Sequence, residues 1–175
     1  MTHEEYQQAA DYWMIKDAAG KKMEEAQLRE KAEAFIAGHN TCALATGYDH
    51  FVRCTPVEYF WMDNAVWMFS EGGRKFLSLE HNQNVCLAIY DSYTGFGQIS
   101  GMQISGKVTL PEPFSEEYLQ AAAFRKIPEA ALRKLNPPMH LLKVVPEEID
   151  FLCSDFKNEG CESRQSWKFG NTRAE

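Results

Sequence analysis

The sequence predicts a mainly β fold of the α+β class. The expected architecture is an antiparallel split β-barrel of six to seven short strands, with N-terminal helices and further helices at the barrel openings. Three observations lead there. Apolar residues change from helical spacing to short extended runs after residue 40. The extended runs are joined by hairpin-type turns such as Asp63-Asn64 and do not alternate with helices, which disfavours a doubly wound sheet. No G-x-G-x-x-G or Walker-type loop follows a strand, so dinucleotide and triphosphate motifs are absent.

The elements follow in order. Thr2-His3-Glu4-Glu5 has the form of a capping box and opens a first helix, which breaks at residues 17–20. A second helix is expected over 23–37, with Leu28, Ala32, Phe35 and Ile36 on one face and Gly38 as its stop. Strands are expected at 41–46, 51–60 and 65–70, with 47–49 and Asp63-Asn64 as the turns between them. Gly72-Gly73 breaks the chain before a short helix at 75–81 that carries Phe76 and Leu79 inward. A strand at 85–90, a loop at 94–97 and a strand at 102–110 follow, and Pro111 and Pro113 end that run. Ser115 caps a helix to about residue 124, and Pro128 opens another short one. Strands at 139–145 and 149–153 are expected around a Pro146-Glu-Glu turn. This divides the chain into a helical segment (1–40), a barrel (41–154) and a polar tail (155–175) that retains Phe156, Trp167 and Phe169.

Composition narrows the function classes. With 45% hydrophobic and 13% aromatic residues the chain can bury a core. A net charge of −7 argues against a general nucleic-acid binder, which needs a basic face. No apolar run approaches the roughly 20 residues of a membrane span, and no secretory leader is visible, so a cytoplasmic location is expected. Cys42, Cys54, Cys86, Cys153 and Cys161 are odd in number and show no C-x-x-C spacing, which reads as reduced thiols. The histidines form no ligand spacing with them, so no metal site is expected.

Three local patterns carry chemistry. In Ser70-Glu71-Gly72-Gly73-Arg74-Lys75 a strand ends in a hydroxyl, two glycines turn the backbone, and two cations start a helix. Helix N–H groups and the paired cations together suit a phosphate; the alternative is a solvated surface turn. In Arg53-Cys-Thr-Pro-Val-Glu58 a cation, Thr55 and Val57 share a strand face, and Pro56 suits an edge strand. In Gln103-Ile-Ser-Gly106 the glutamine offers both donors and acceptors to a ligand edge, or is exposed on a strand face.

Taken in order, these runs resemble the pyridoxamine 5′-phosphate oxidase-like family, the FMN-binding split barrels. The match runs from Arg53…Glu58-Tyr59 through Val66-Trp-Met-Phe-Ser70 to Arg74-Lys75…Asn82-Gln-Asn-Val85, then Gln103 and Gly106, and covers about residues 41–110. The resemblance implies FMN as cofactor, with Arg74, Lys75 and Ser70 on its phosphate. It places Arg53, Thr55 and Pro56 along the ring and Gln103 at the ring edge. It also implies a homodimer with the flavin at the subunit interface, and oxidoreductase chemistry on a small-molecule substrate. Trp167 in the tail is a further candidate to cover the flavin, on its own or the partner subunit; the alternative is that Trp167 and Phe169 pin the tail to the outer surface of the barrel. Two departures mark a divergent branch: Glu58 stands where the oxidase has lysine, and Arg164-Gln165-Ser166 is the nearest approach to its C-terminal Arg-x-His. No catalytic residue is assigned. His50 is a candidate proton donor or an exposed turn histidine, and a non-catalytic flavin or haem binder is the alternative, with His81, His140 or a tail residue as axial ligand to a haem.

Overall fold

A computed structural model describes residues 1–95 and 97–169. Phe96 of the expected loop and residues 170–175 of the expected tail lie outside the described residues. Helix α1 (His3–Ala18) begins with the predicted capping box. Thr2 Oγ1 accepts from the Glu5 N–H at 3.2 Å, and the Glu5 carboxylate accepts from the Thr2 N–H at 2.7 Å. None of its residues is buried. Arg164 ties it to the body, with its guanidinium 5.1 Å from the Trp13 ring and 3.6 Å from the Asp17 carboxylate. Helix α2 (Glu25–Gly38) buries Leu28, Ala32 and Ile36, as the spacing predicts.

The strands are β1 (Thr41–Tyr48), β2 (Phe51–Glu58), β3 (Phe60–Met62) and β4 (Ala65–Ser70). After the short helix α3 (Lys75–Leu79) come β5 (Asn84–Tyr90) and β6 (Ser100–Thr109). Helices α4 (Glu116–Phe124) and α5 (Glu129–Leu132) then precede β7 (His140–Cys153), a 3₁₀ turn (Ser154–Glu159) and β8 (Arg164–Lys168). All pairings are antiparallel, in the order β2-β1-β5-β6-β7-β4-β3, with β8 on β7. The sheet curls until β2 approaches β4 without pairing to it, and that unpaired seam is the split of the barrel. Its edge position explains how β2 tolerates Pro56. Asp63 and Asn64 both have positive φ (52° and 56°), the backbone of a type I′ hairpin between β3 and β4.

Inward residues such as Leu44, Val66, Leu87, Ile104, Val144 and Ile149 form the main core, closed at one side by α2. A smaller cluster of Phe60, Trp67, Tyr118, Leu132 and Leu141 packs α4 and α5 on the other face of β3–β4.

Three expectations change. The strand expected over 51–60 divides at Tyr59, whose N–H donates to the Asn40 carbonyl at 2.8 Å and whose hydroxyl donates to the Ile36 carbonyl at 2.6 Å. The two strands expected around Pro146 are one 14-residue strand, β7. The register slips between Ser105 and Gly106, so Pro146 sits opposite Gly106 at a bulge, where the missing donor breaks no regular ladder. Finally, the tail contributes β8, which the polar composition of the segment concealed. Gln165 is buried there, accepting from the Met23 N–H at 3.0 Å and donating to the Glu162 carbonyl at 2.7 Å.

Candidate functional site

The split of the barrel gathers the cations. Ser70 ends β4, and its hydroxyl meets both the N–H and the carbonyl of Gly72 at 3.2 Å. Gly72 and Gly73 have φ of 135° and 107°, a backbone that other residues rarely adopt. That reversal returns the chain so that Arg74 lies over the Phe51 ring of β2, 5.0 Å from its centroid. Arg53 projects from the same face of β2 as Phe51, opposite Thr46 of β1, and Thr55 lies further along that face opposite Leu44. Helix α3 packs on β1 and β2, and Asn82 clamps its end by donating to the Gly47 carbonyl at 2.8 Å.

Lys75 is only 6% exposed and donates to the Gly72 carbonyl. Burial pushes its ammonium below the ordinary lysine range. An ammonium has three N–H donors, so the Gly72 carbonyl alone does not saturate it; an anionic oxygen would add a partner and offset its desolvation. The hydroxyl of Thr46, facing Arg53, is buried and has no hydrogen-bond partner among the described residues. A helix of five residues contributes little macrodipole. Positive charge around the turn therefore comes from Arg74 and Lys75, with Arg53 on the neighbouring face of β2, more than from the helix start that the sequence suggested.

The other predicted residues lie elsewhere in the subunit. Pro56 faces the opposite side of β2, in one cross-strand row with Ala43, Ala88 and Gln103. Gln103 is exposed on that outer face, flanked by Asp150 of β7. Trp167 is buried in the main core, opposite Ile149, with Phe169 at 3.9 Å between ring centroids. Ser70 instead pairs with His140, nine residues away along β7, or roughly 30 Å at strand rise. Within one chain Trp167 is thus remote from Arg74 and Lys75.

The histidines divide as well. His50 is 98% exposed in the turn after β1. His81 stacks on Tyr48 at 4.2 Å, and His140 leans on Phe76 at 4.7 Å, beside the Ser70 end of the site. The cysteines are free. Among the described residues no cluster of three or more His, Cys, Asp or Glu is placed to hold a metal, and no helix is long and apolar enough to cross a membrane. Sequence reasoning missed the partner of Glu58: its carboxylate accepts from the guanidinium of Arg125 at the end of α4. The two lie 67 positions apart, and no local pattern joins them.

The family model for pyridoxamine 5′-phosphate oxidase matches residues 28–153. No curated protein matches the sequence. Among solved structures, a FAD-binding protein from Mesorhizobium loti is 17% identical with a TM-score of 0.55, over 69% of this chain and 89% of that one. ChuZ from Campylobacter jejuni is 15% identical with a TM-score of 0.64, over 86% of this chain and 63% of that one. The haem storage protein HutZ from Vibrio cholerae is 18% identical with a TM-score of 0.56, over 69% of this chain and 90% of that one.

Proposed function

The chain belongs to the pyridoxamine 5′-phosphate oxidase family, and from that membership we propose that it is an FMN-binding oxidoreductase acting on a small molecule. The observation that carries the reading is the grouping of Ser70, Arg74 and Lys75 at the Gly72-Gly73 turn, with Arg53 on the β2 face whose Phe51 lies under Arg74. A dianionic phosphate suits this set, since Arg grips two oxygens and a desolvated Lys gains most from a counter-charge. The FAD-binding relative from Mesorhizobium loti supports a flavin on this barrel.

Arg74, Lys75 and Ser70 would hold the phosphate. Arg53, on the same strand face as Phe51, would set positive charge beside the ring. FMN, when bound, supplies the hydride and electron transfer; the chain supplies position and charge. The outer face that carries Pro56 and Gln103 lies on the other side of β2 from Arg53. In a homodimer it would meet the flavin of the second subunit, which gives those residues a role that one chain alone does not.

Replacing both Arg74 and Lys75 by alanine tests the reading. Charge-assisted bonds contribute roughly 1.5–3 kcal/mol each, so FMN affinity should fall about a hundredfold or more, while riboflavin, lacking the phosphate, should change little. Equal loss for both ligands, or none, would place the phosphate elsewhere. Light scattering of the flavin-loaded protein should give twice the 20.0 kDa chain mass.

Haem binding is the second reading, favoured by His140 beside the Ser70 end of the site and by the haem storage relative from Vibrio cholerae. The absorbance spectrum of purified protein separates the two: flavin bands in the near-ultraviolet and blue, or a single Soret band.

A further inference from the structure

A cleft of about 340 Å³ opens between the β3–β4 hairpin and the helices α4 and α5. Seven of its nine lining residues are apolar, with Phe60, Phe69, Ile127 and Leu132 forming the walls. The remaining two are Glu58 and Arg125, and they are paired with each other. The Phe60 ring lies nearly parallel to Phe69 (23°, 6.2 Å) and to Phe124 (20°, 5.6 Å), and the Arg125 guanidinium sits 5.5 Å from its centroid.

We propose that Glu58 sets the specificity of this cleft: by neutralising Arg125 it makes the cleft a site for small neutral aromatic molecules and closes it to anions. The volume is at the lower end for ligand pockets and suits a molecule of one or two rings. Such a ring stacks favourably against the offset phenylalanines. An anionic ligand reaching Arg125 has to displace the Glu58 carboxylate or lie beside it, where the two like charges repel. Left alone, Arg125 would reverse this preference, because a guanidinium over an aromatic ring is a ready carboxylate receptor. As the substrate site of the proposed oxidoreductase the cleft rests on that reading; its ligand preference is a property of these side chains and is measurable without flavin.

Benzamide and benzoate have nearly the same shape and differ in charge, so they serve as probes. Titrated into the full-length protein by ligand-observed NMR, benzamide should bind at least tenfold more tightly than benzoate. Glu58→Gln removes a charge from a side chain that is 62% exposed; it should leave benzamide affinity within about twofold and raise benzoate affinity tenfold or more. Adding Arg125→Gln to that variant should abolish the gain. Ala131→Trp, which fills the cleft from an exposed helical position, should remove both ligands. Equal binding of the two probes to the parent, no binding of either, an unchanged preference in Glu58→Gln, or binding that survives Ala131→Trp would each overturn the proposal. A flavin spectrum recorded on the same protein reports separately on the oxidoreductase reading.

Discussion

Gly106 is the point at which the long pair β6–β7 is most sensitive to a single methyl group. The register slips there, and Pro146 is received opposite it. A Cβ built on Gly106 would stand 2.3 Å from the Val145 carbonyl oxygen, 3.0 Å from its carbon and 3.1 Å from the Cα of Pro146. All three are backbone atoms, so relief requires β7 to move, and β7 is also paired with β4 and β8. Gly106→Ala should therefore cost about 2–3 kcal/mol, toward the upper end for overpacking. At roughly 2–4 °C per kcal/mol for a chain of this length, the melting temperature should drop by roughly 4–12 °C. Gly101→Ala on the same strand is the control. Its Cβ would meet the Tyr90 Cβ at 3.4 Å and the Ile89 carbonyl at 3.8 Å, which is ordinary contact. Both variants gain the same unfolded-state benefit of roughly 0.4–1 kcal/mol, so their difference isolates the backbone clash. Thermal and urea unfolding followed by circular dichroism measure it. If Gly106→Ala melts within a degree or two of Gly101→Ala, the close approach of β6 and β7 at the bulge does not exist as described.

Burial pushes the Cys42 thiol from 9.0 up to about 12, so its thiolate fraction near neutral pH is about a thousandfold below that of an ordinary thiol; iodoacetamide should label exposed Cys54 and spare Cys42 until the protein is unfolded, as peptide mass mapping would show. Lys75 has a folded-state pKa below the ordinary 10.5, so in the alkaline window between those two values the unfolded chain binds more protons. Stability of the flavin-free protein should then rise with pH across that window, and the rise should vanish in Lys75→Met. FMN affinity should fall over the same window, because a neutral amine offers the phosphate no charge; urea midpoints and FMN titrations from pH 8 to pH 10 read both. Trp167→Ala should lower stability by roughly 3–5 kcal/mol, as for other large core truncations, while leaving the FMN affinity of the folded protein within about twofold; an affinity loss at unchanged melting temperature would return Trp167 to the flavin site.

Local chemistry made much of the fold legible. The capping box at Thr2, the hairpin at Asp63-Asn64, the Ser115 cap and the buried face of α2 are each dictated by residues within one turn or one hairpin, and each stands where the sequence placed it. The failures are tertiary. Pro146 reads as a turn in isolation because it cannot donate to a ladder; it continues a strand here because Gly106, forty residues earlier, accepts a bulge. β8 reads as tail because Arg164, Ser166 and Lys168 alternate with Gln165 and Trp167, and a polar Gln165 hides the inward period. The carbonyls of Glu162 and Lys21 and the N–H of Met23 show that this glutamine is a buried, bonded residue.

The candidate site divides by the same rule. Ser70, the two glycines, Arg74 and Lys75 are contiguous, so their grouping is fixed before the chain folds. Arg53 joins them because β2 is the free edge of the curled sheet and Arg74 reaches across the split to Phe51. Gln103 and Pro56 do not join them, because side chains alternate along a strand and both fall on the outer face. A cofactor that touches both groups must therefore either wrap the edge strand β2 or lie between two subunits. β2 is eight residues long and carries the outward-facing Val52 and Cys54 between the turn and Pro56. A planar ring that packs against a strand face has no room to bend around that edge. On the proposed flavin reading, a second subunit would bring Pro56 and Gln103 to the cofactor, and a monomeric flavin complex would use the cation cluster without them. Gln103→Ala separates the cases: it should weaken FMN binding severalfold in a dimer and leave it untouched in a monomer.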